Sequence, residues 1–318
     1  MKIKLWGVRG SMPTPVSGAI IERKIRRVLQ LARPGDVSSE EAIESFLYSL
    51  PFSLTSTYGG NTSCIEVVTD SGELIILDCG SGIIGLGKEL MKGEFGKGKG
   101  AASILISHTH WDHIHGIPFF VPAFVPGNRF TFYSPMENLH ERLKYQQEPT
   151  HFPIRLDEMM ATKDFIQLKE DEEFFLNNIR VFVKRMPHPG KSFAYRIEDG
   201  GKVCVYTSDC EFNIAEIEEI DSYYELFHDA DVIIFDAQYT LEEALNKLDW
   251  GHSSGYIALD VAARFRAKQL ILFHHEPNYD DEKLDNILSN TLSYQTMHEA
   301  AVGSVKVDIA REGLEIIL

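Results

Sequence analysis

Four side chains that can bind metal ions occur within six positions, from His108 to His113. They directly follow the apolar run Ile104–Ile106, which predicts a buried strand. Side chains two positions apart at a strand end lie on the same side, so His108 and His110 can bind one ion. Asp112 and His113 lie beyond the predicted turn and can face a second ion. Imidazole and carboxylate ligands together favour zinc, with manganese or iron as alternatives.

The composition excludes several classes of protein. The chain has 318 residues, 44% of them apolar and 25% charged, which is typical of a soluble globular protein. No apolar run approaches the roughly 18 residues that a membrane span needs, and the first residues lack the apolar region of a secretory signal. The net charge of −16 disfavours a non-specific nucleic-acid binder, because phosphate backbones require a basic surface. The four cysteines form no C-x-x-C pair and predict buried thiols in a reducing cytoplasm.

Hydrophobic periodicity indicates the elements that must position the candidate ligands. Alternating polarity predicts a first strand over Lys2–Trp6, and helical spacing predicts helices within Val16–Thr57. Further strands and helices follow in both halves of the chain, including a helix over Ile214–Phe227. We therefore expect an α/β fold in which two sheets carry helices on their outer faces.

The pattern H-x-H-x-D-H after a strand resembles the signature of the metallo-β-lactamase superfamily. Four further segments match the order of that family's motifs. The segment Leu77–Gly82 resembles the first motif, in which Asp78 would support the ligand loop by hydrogen bonds. The remaining ligands implied by the resemblance are His188, Asp209 and His274, with the adjacent His275 as an alternative to His274. The resemblance implies a four-layer αβ/βα sandwich of two mixed sheets, as a single domain over residues 1–318 with a helical insertion at about 16–57.

The resemblance also implies a binuclear metal site, with Zn²⁺ expected and Mn²⁺ or Fe²⁺ as alternatives. Asp209 would bridge the two ions, and a hydroxide between them would be the nucleophile. The implied ligands are His108, His110 and His188 for the first ion, and Asp112, His113 and His274 for the second.

A second cluster favours one branch of the superfamily. The segments Phe235–Tyr239 and Trp250–Ser254 resemble those of ribonuclease Z and its phosphodiesterase relatives. By that resemblance His252 would protonate or stabilise the leaving oxygen, and Asp236 would hold its ring in the right tautomer. We count Asp112 with this pair as catalytic. The alternative interpretation of His252 is a polar residue at a helix N-terminus.

Three residues are candidates for substrate binding. Asn61 would orient a ligand oxygen, and Ser253 lies next to His252 in the second cluster. Arg9 would pair either with a phosphate or with a carboxylate of the fold.

The sequence departs from ribonuclease Z at one place that bears on its partner. That family carries a basic arm for transfer RNA between the third histidine and the bridging aspartate, whereas His188 and Asp209 are close together here. We therefore do not expect transfer RNA as a partner, and predict a cytoplasmic phosphodiesterase for a small phosphodiester such as a cyclic nucleotide. The alternatives are a thioesterase or lactonase of the same fold, or a non-catalytic nucleotide sensor. The basic helical stretch within residues 16–57 is interpreted as a solvated face, with a lid or a homodimer element as the alternative.

Overall fold

Two seven-stranded mixed sheets form the centre of the computed structural model, which describes residues 1–212, 219–298 and 302–318. The strand order is β14-β1-β2-β3-β4-β5-β6 in the first sheet and β13-β12-β11-β10-β9-β8-β7 in the second. Their bounds are β1 (Lys2–Gly7), β2 (Cys64–Val68), β3 (Leu74–Leu77), β4 (Ala101–Leu105), β5 (Arg129–Ser134), β6 (Thr162–Gln167), β7 (Glu173–Leu176), β8 (Ile179–Met186), β9 (Ser192–Asp199), β10 (Lys202–Tyr206), β11 (Val232–Asp236), β12 (Gln269–Phe273), β13 (Lys306–Ile309) and β14 (Glu315–Ile317).

Helices cover the outer faces of both sheets. Their bounds in the described residues are α1 (Gly18–Leu31), α2 (Glu40–Ser49), α3 (Phe52–Thr55), α4 (Gly82–Leu90), α5 (Trp111–Ile114), α6 (Leu139–Gln146), α7 (Tyr224–Phe227), α8 (Leu241–Asn246), α9 (Gly255–Arg264) and α10 (Asp281–Met297). None of these helices is long and apolar enough to cross a membrane.

Three apolar clusters hold the layers together. The central cluster joins the inner faces of the two sheets, for example through Leu5 of β1 and Phe273 of β12. A second cluster packs α4 and α6 on the first sheet, and a third packs α9 and α10 on the second. The alternation of buried and half-exposed residues along β1 and β8 is what such one-sided packing requires. The predicted four-layer sandwich is therefore confirmed.

The topology brings several strand ends to one edge of the sandwich. Strands β3 to β6 are parallel in the first sheet, and β10 to β13 are parallel in the second. Both β8 and β10 run antiparallel to β9, which lies between them, so they point the same way. Ligands in sheets of this kind bind where carboxyl ends of strands converge, and the candidate metal ligands follow these ends.

The segment within residues 16–57 contains α1 to α3. No residue of α1 is buried, and Ile21 and Ile25 are exposed. Lys24 forms an ion pair with Asp281, and Arg23 forms one with Asp280, so this segment contacts the start of α10. Of the helix predicted from the sequence over residues 214–227, positions up to 218 lie outside the described residues.

Candidate metal centre

Seven side chains converge into two groups of potential metal ligands that share one carboxylate. Within each group the ligand atoms lie within 4.8 Å of one another. Asp209, which follows β10, belongs to both groups. Its Oδ1 lies 3.1 Å from Nε2 of both His113 and His274, and its Oδ2 lies 3.5 Å from Nε2 of His108. The first group consists of His108, His110, His188 and Asp209, and the second of Asp112, His113, Asp209 and His274.

Four of the imidazoles are oriented by a hydrogen bond at Nδ1, which leaves Nε2 directed into the cluster. The acceptor is the Asp78 carboxylate for His113 (2.8 Å) and the Gly251 carbonyl for His188 (2.9 Å). For His274 it is Oε1 of Gln238 (3.0 Å). The acceptor for His108 is Oγ of Ser107 (3.0 Å), whose own hydroxyl donates to Asp78. An Nδ1–H donor fixes the tautomer in which Nε2 is a free ligand atom.

Asp78 is the shared hydrogen-bond acceptor beneath this cluster. Its fully buried carboxylate accepts hydrogen bonds from the backbone and hydroxyl of Ser107, from Nδ1 of His113 and from the hydroxyl of Tyr206. The donors come from both sheets, because Tyr206 ends β10 whereas Ser107 follows β4. Asp78 therefore supports the ligand loop as the resemblance implies, and also ties that loop to the second sheet.

The electrostatics keep most of the donors in a form that binds cations. Burial lowers the pKa of His108 well below its usual range, so its ring is neutral. Burial alone would raise the pKa of Asp209, but His113 and His274 outweigh it and hold that pKa well below the ordinary value. Burial also opposes charge on His113, but Asp209, Asp112 and Asp78 outweigh burial and raise its pKa well above its usual value. Three carboxylates around one imidazole create a site that attracts positive charge.

The donor set fits divalent metal ions. Nε2 of His108, Nε2 of His113 and Oδ1 of Asp209 are buried and lack a hydrogen-bond partner in the described residues. Buried polar atoms without partners are costly, so three of them facing one another indicate a missing common partner. Neutral imidazoles and ionised carboxylates are the ligands of zinc and related ions. The first group is open to solvent at His110, whereas all members of the second group are buried.

A further pair lies against both groups. Nδ1 of His252 is 2.8 Å from Oδ2 of Asp236, which ends β11. The His252 ring lies 5.1 Å from that of His274 and 5.4 Å from that of His188, measured between centroids. Burial disfavours a charged ring, but Asp236, together with more distant carboxylates, outweighs burial and raises the pKa of His252 to about 9. Asp236 thus favours the protonated form of this imidazole beside the cluster.

Comparison with known proteins agrees with this arrangement. A protein-family profile described as "Beta-lactamase superfamily domain" matches residues 74–275, which include both ligand groups. The chain belongs to the metallo-β-lactamase superfamily. Members of this superfamily are metal-dependent hydrolases, and proteins of this fold bind divalent metals.

The similarities to individual relatives and solved structures cover different portions of the chain. Ribonuclease Z of Lactobacillus gasseri is 33% identical over 101 residues, which cover 30% of each chain. Ribonuclease Z of Bacillus cereus is 22% identical over 283 residues, which cover 72% of this chain and 88% of the relative. The metallo-beta-lactamase fold protein YhfI from Bacillus subtilis has a crystal structure with a TM-score of 0.63 and 18% identity, covering 99% of this chain and 98% of that one. The last similarity shows the same superfamily fold.

The three residues predicted to bind substrate form hydrogen bonds with other segments of the fold. Arg9 is buried and donates to the carbonyls of Gly59, Glu276 and Tyr279. Asn61 donates to Glu312 and accepts from Ser81. Both side chains therefore bond to other segments of the fold and belong to neither ligand group, and their role in substrate binding stays a prediction.

Ser253 also bonds within the fold. Its hydroxyl donates to the Cys210 carbonyl (2.8 Å) and accepts from the backbone N–H of Phe212 (3.1 Å). The side chain is buried and connects the loop before α9 to the loop after β10, and it thereby stabilises the position of its neighbour His252. Its role in substrate binding stays a prediction.

The last ligand position is decided by the backbone after β12. His274 has a left-handed conformation (φ 64°) and directs Nε2 to Asp209 and Asp112. His275 instead donates from Nε2 to the Ala310 carbonyl at 2.7 Å and is buried in the fold. The structure thus brings His274, and not His275, into the cluster.

Three further residues, none of them predicted from the sequence, orient the site. Gln238 accepts from His274, and the Gly251 carbonyl accepts from His188. Gly251 has φ 89°, and a Cβ there would lie 2.2 Å from Nδ1 of His188, so this position requires glycine. Glu211 accepts from the backbone N–H of Gly251 at 2.7 Å and fixes that loop. Gln238 and Gly251 lie inside the two segments that resemble ribonuclease Z, but their spacing in the sequence does not indicate that they orient histidines.

Replacing Asp78 with asparagine is expected to lower the free energy of unfolding by about 3 kcal/mol, because buried donors lose their acceptor. Asparagine tolerates the left-handed backbone at this position (φ 57°), so the change isolates the hydrogen bonds. Urea unfolding of the zinc-loaded protein measures the effect. Asp157→Asn, at an exposed ion pair with Lys144, is the matched control and should leave stability unchanged. Equal stability of the two variants would contradict the role of Asp78.

Proposed function

We propose that this protein is a binuclear metal-dependent phosphodiesterase that hydrolyses a small phosphodiester, such as a cyclic nucleotide. The observation that supports the choice within the superfamily is the His252–Asp236 pair, 2.8 Å apart and packed against the rings of His274 and His188. Phosphodiester cleavage expels an alkoxide that needs a proton, and a protonated imidazole beside the cluster supplies one.

The side chains divide the work as follows. The seven-residue cluster would hold the ions, with Asp209 shared between them. When bound to these ligands, divalent ions would lower the pKa of a coordinated water and neutralise charge on the phosphate. Ser11 fixes Asp112 by a backbone N–H bond of 2.7 Å to Oδ2. Asp236 orients His252 so that its other nitrogen, Nε2, faces the leaving oxygen and transfers the proton to it.

Hydrolysis of bis-p-nitrophenyl phosphate by the zinc- or manganese-loaded protein tests the proposal. Turnover of this ester should exceed turnover of a thioester and of a lactone by at least about 100-fold, because only the phosphodiester carries a negative charge that both ions can neutralise. Preferential turnover of the thioester or the lactone would favour the alternative hydrolase. Absence of turnover on all three substrates by protein with full metal content would favour a non-catalytic sensor.

Cleavage of RNA is the second candidate, and the relatives named ribonuclease Z favour it. They weigh against our expectation that transfer RNA is not a partner. Two observations still favour a small substrate. The stretch between His188 and Asp209 is occupied by the hairpin of β9 and β10, and the chain carries a net charge of −16. Cleavage of a precursor transfer RNA at a higher kcat/KM than any small diester would decide for the ribonuclease.

A further inference from the structure

A cavity of about 870 Å³ lies next to the metal centre, between α5, α6 and the loop after β1. Ser11 lines this cavity and binds Asp112 through its backbone N–H, so the cavity and the second ligand group share a wall. Thr109 and Trp111, on either side of His110, line it as well. A substrate whose phosphate lies at the metal centre therefore has room for a bulky substituent on this side.

Aromatic rings are exposed around the cavity. Trp111 is 82% exposed and Tyr145 is 68% exposed. The ring of His151 meets that of Tyr145 edge to face, with centroids 5.2 Å apart. Large exposed rings beside a concave site indicate a ligand that covers them, since their faces gain energy by stacking.

The rim also carries polar groups in fixed orientations. Arg142 donates from Nε to the Glu137 carbonyl and from Nη1 to Oγ1 of Thr109, which holds its guanidinium beside the cavity. Gln146 donates from Nε2 to the Ile114 carbonyl (3.0 Å), and its Oε1 is buried without a hydrogen-bond partner in the described residues. A flat ligand with donors and acceptors along its edge suits this combination better than a purely apolar one.

We propose that this cavity binds the nucleobase of a nucleotide whose phosphate lies at the metal centre, with the base stacked on Trp111 and Tyr145. The assignment rests on the proposed function, since the phosphate position comes from the metal centre. Other large groups suit the cavity less well, because an aliphatic group would leave Oε1 of Gln146 without a donor. Removing an aromatic side chain on which a base stacks weakens the binding of that base by roughly 5- to 100-fold.

Isothermal titration of the zinc-loaded protein with two probes tests the pocket without any turnover. Adenosine 5′-monophosphate carries base and phosphate, whereas ribose 5-phosphate lacks the base. The wild type should bind the first at least about 10-fold more tightly than the second. Trp111→Ala should abolish this preference, and Tyr145→Ala should reduce it. Tyr48→Ala is the matched control, because Tyr48 is 94% exposed on α2 outside this cavity, and it should keep the full preference.

Equal binding of the two probes by the wild type, or no binding of adenosine 5′-monophosphate, would overturn the pocket. An undiminished preference in Trp111→Ala would do the same, because the exposed ring can be removed without disturbing the core. Hydrolysis of bis-p-nitrophenyl phosphate, measured in parallel, separates the two proposals. Turnover without a preference for the base would support the phosphodiesterase and contradict the nucleobase pocket. A preference for the base without turnover would support the pocket and contradict the phosphodiesterase.

Discussion

Asp209→Ala is expected to remove most of the bound metal and to lower kcat/KM by at least about 10³-fold. Asp209 belongs to both ligand groups, and its two oxygens face different imidazoles. Its loss leaves three histidines in the first group and two histidines with one aspartate in the second. Neither set retains the shared carboxylate that neutralises two adjacent cations. The zinc content, measured on protein equilibrated with excess zinc and then desalted, should fall from two ions per chain to below one.

His110→Ala provides the matched comparison. His110 belongs only to the first group and is its exposed member, so the second group stays intact. This variant should keep about one ion per chain and should lose activity together with the other ion. Thermal unfolding gives an independent measure, because a ligand that binds only the folded state raises Tm. Zinc should raise the Tm of the wild type most, that of His110→Ala less and that of Asp209→Ala least. Two retained ions and full activity in either variant would contradict the ligand assignment.

His252→Ala is expected to lower kcat on a phosphodiester by roughly 10²- to 10⁴-fold while leaving the metal content unchanged. His252 lies in a third group of potential ligands, with Asp209, Asp236 and His274, but its Nδ1 is taken by Asp236 and it belongs to neither of the two groups to which we assign the ions. The loss should depend on the leaving group. It should be large for an alkoxide, which needs a proton, and small for p-nitrophenolate, which leaves without one.

Two measurements make this test specific. The kcat values of wild type and variant are compared on two substrates: bis-p-nitrophenyl phosphate, which releases a phenolate, and a nucleotide diester that releases an alkoxide. Zinc analysis of the same samples shows whether the metal centre is intact. His228→Ala is the matched control and should behave like the wild type, because His228 is a half-buried histidine that donates to the Tyr224 carbonyl away from the metal centre. An equal loss on both substrates, or a loss of zinc, would mean that His252 acts by holding the site together and not as a proton donor.

The sequence by itself determined where the site would be. A run of four potential ligands after an apolar strand and three further ligands after later strands specify the edge at which parallel strands end. Local periodicity and chain order suffice for the run from His108 to His113, because this run immediately follows its own strand. The later ligands, the support of the ligand loop by Asp78 and the pairing of His252 with Asp236 were implied by the resemblance to the superfamily.

Only the tertiary structure decided where the side chains next to these positions point. Arg9 resembles a phosphate ligand by type, but its acceptors are the carbonyls of Glu276 and Tyr279, 267 and 270 positions away along the chain. The choice between His274 and His275 depends on a left-handed residue and on the distant Ala310 carbonyl. Spacing fixes which side chains reach a strand end, because backbone geometry is local. It does not fix their partners, because a buried polar group bonds to whichever distant segment the packing of the two sheets brings against it.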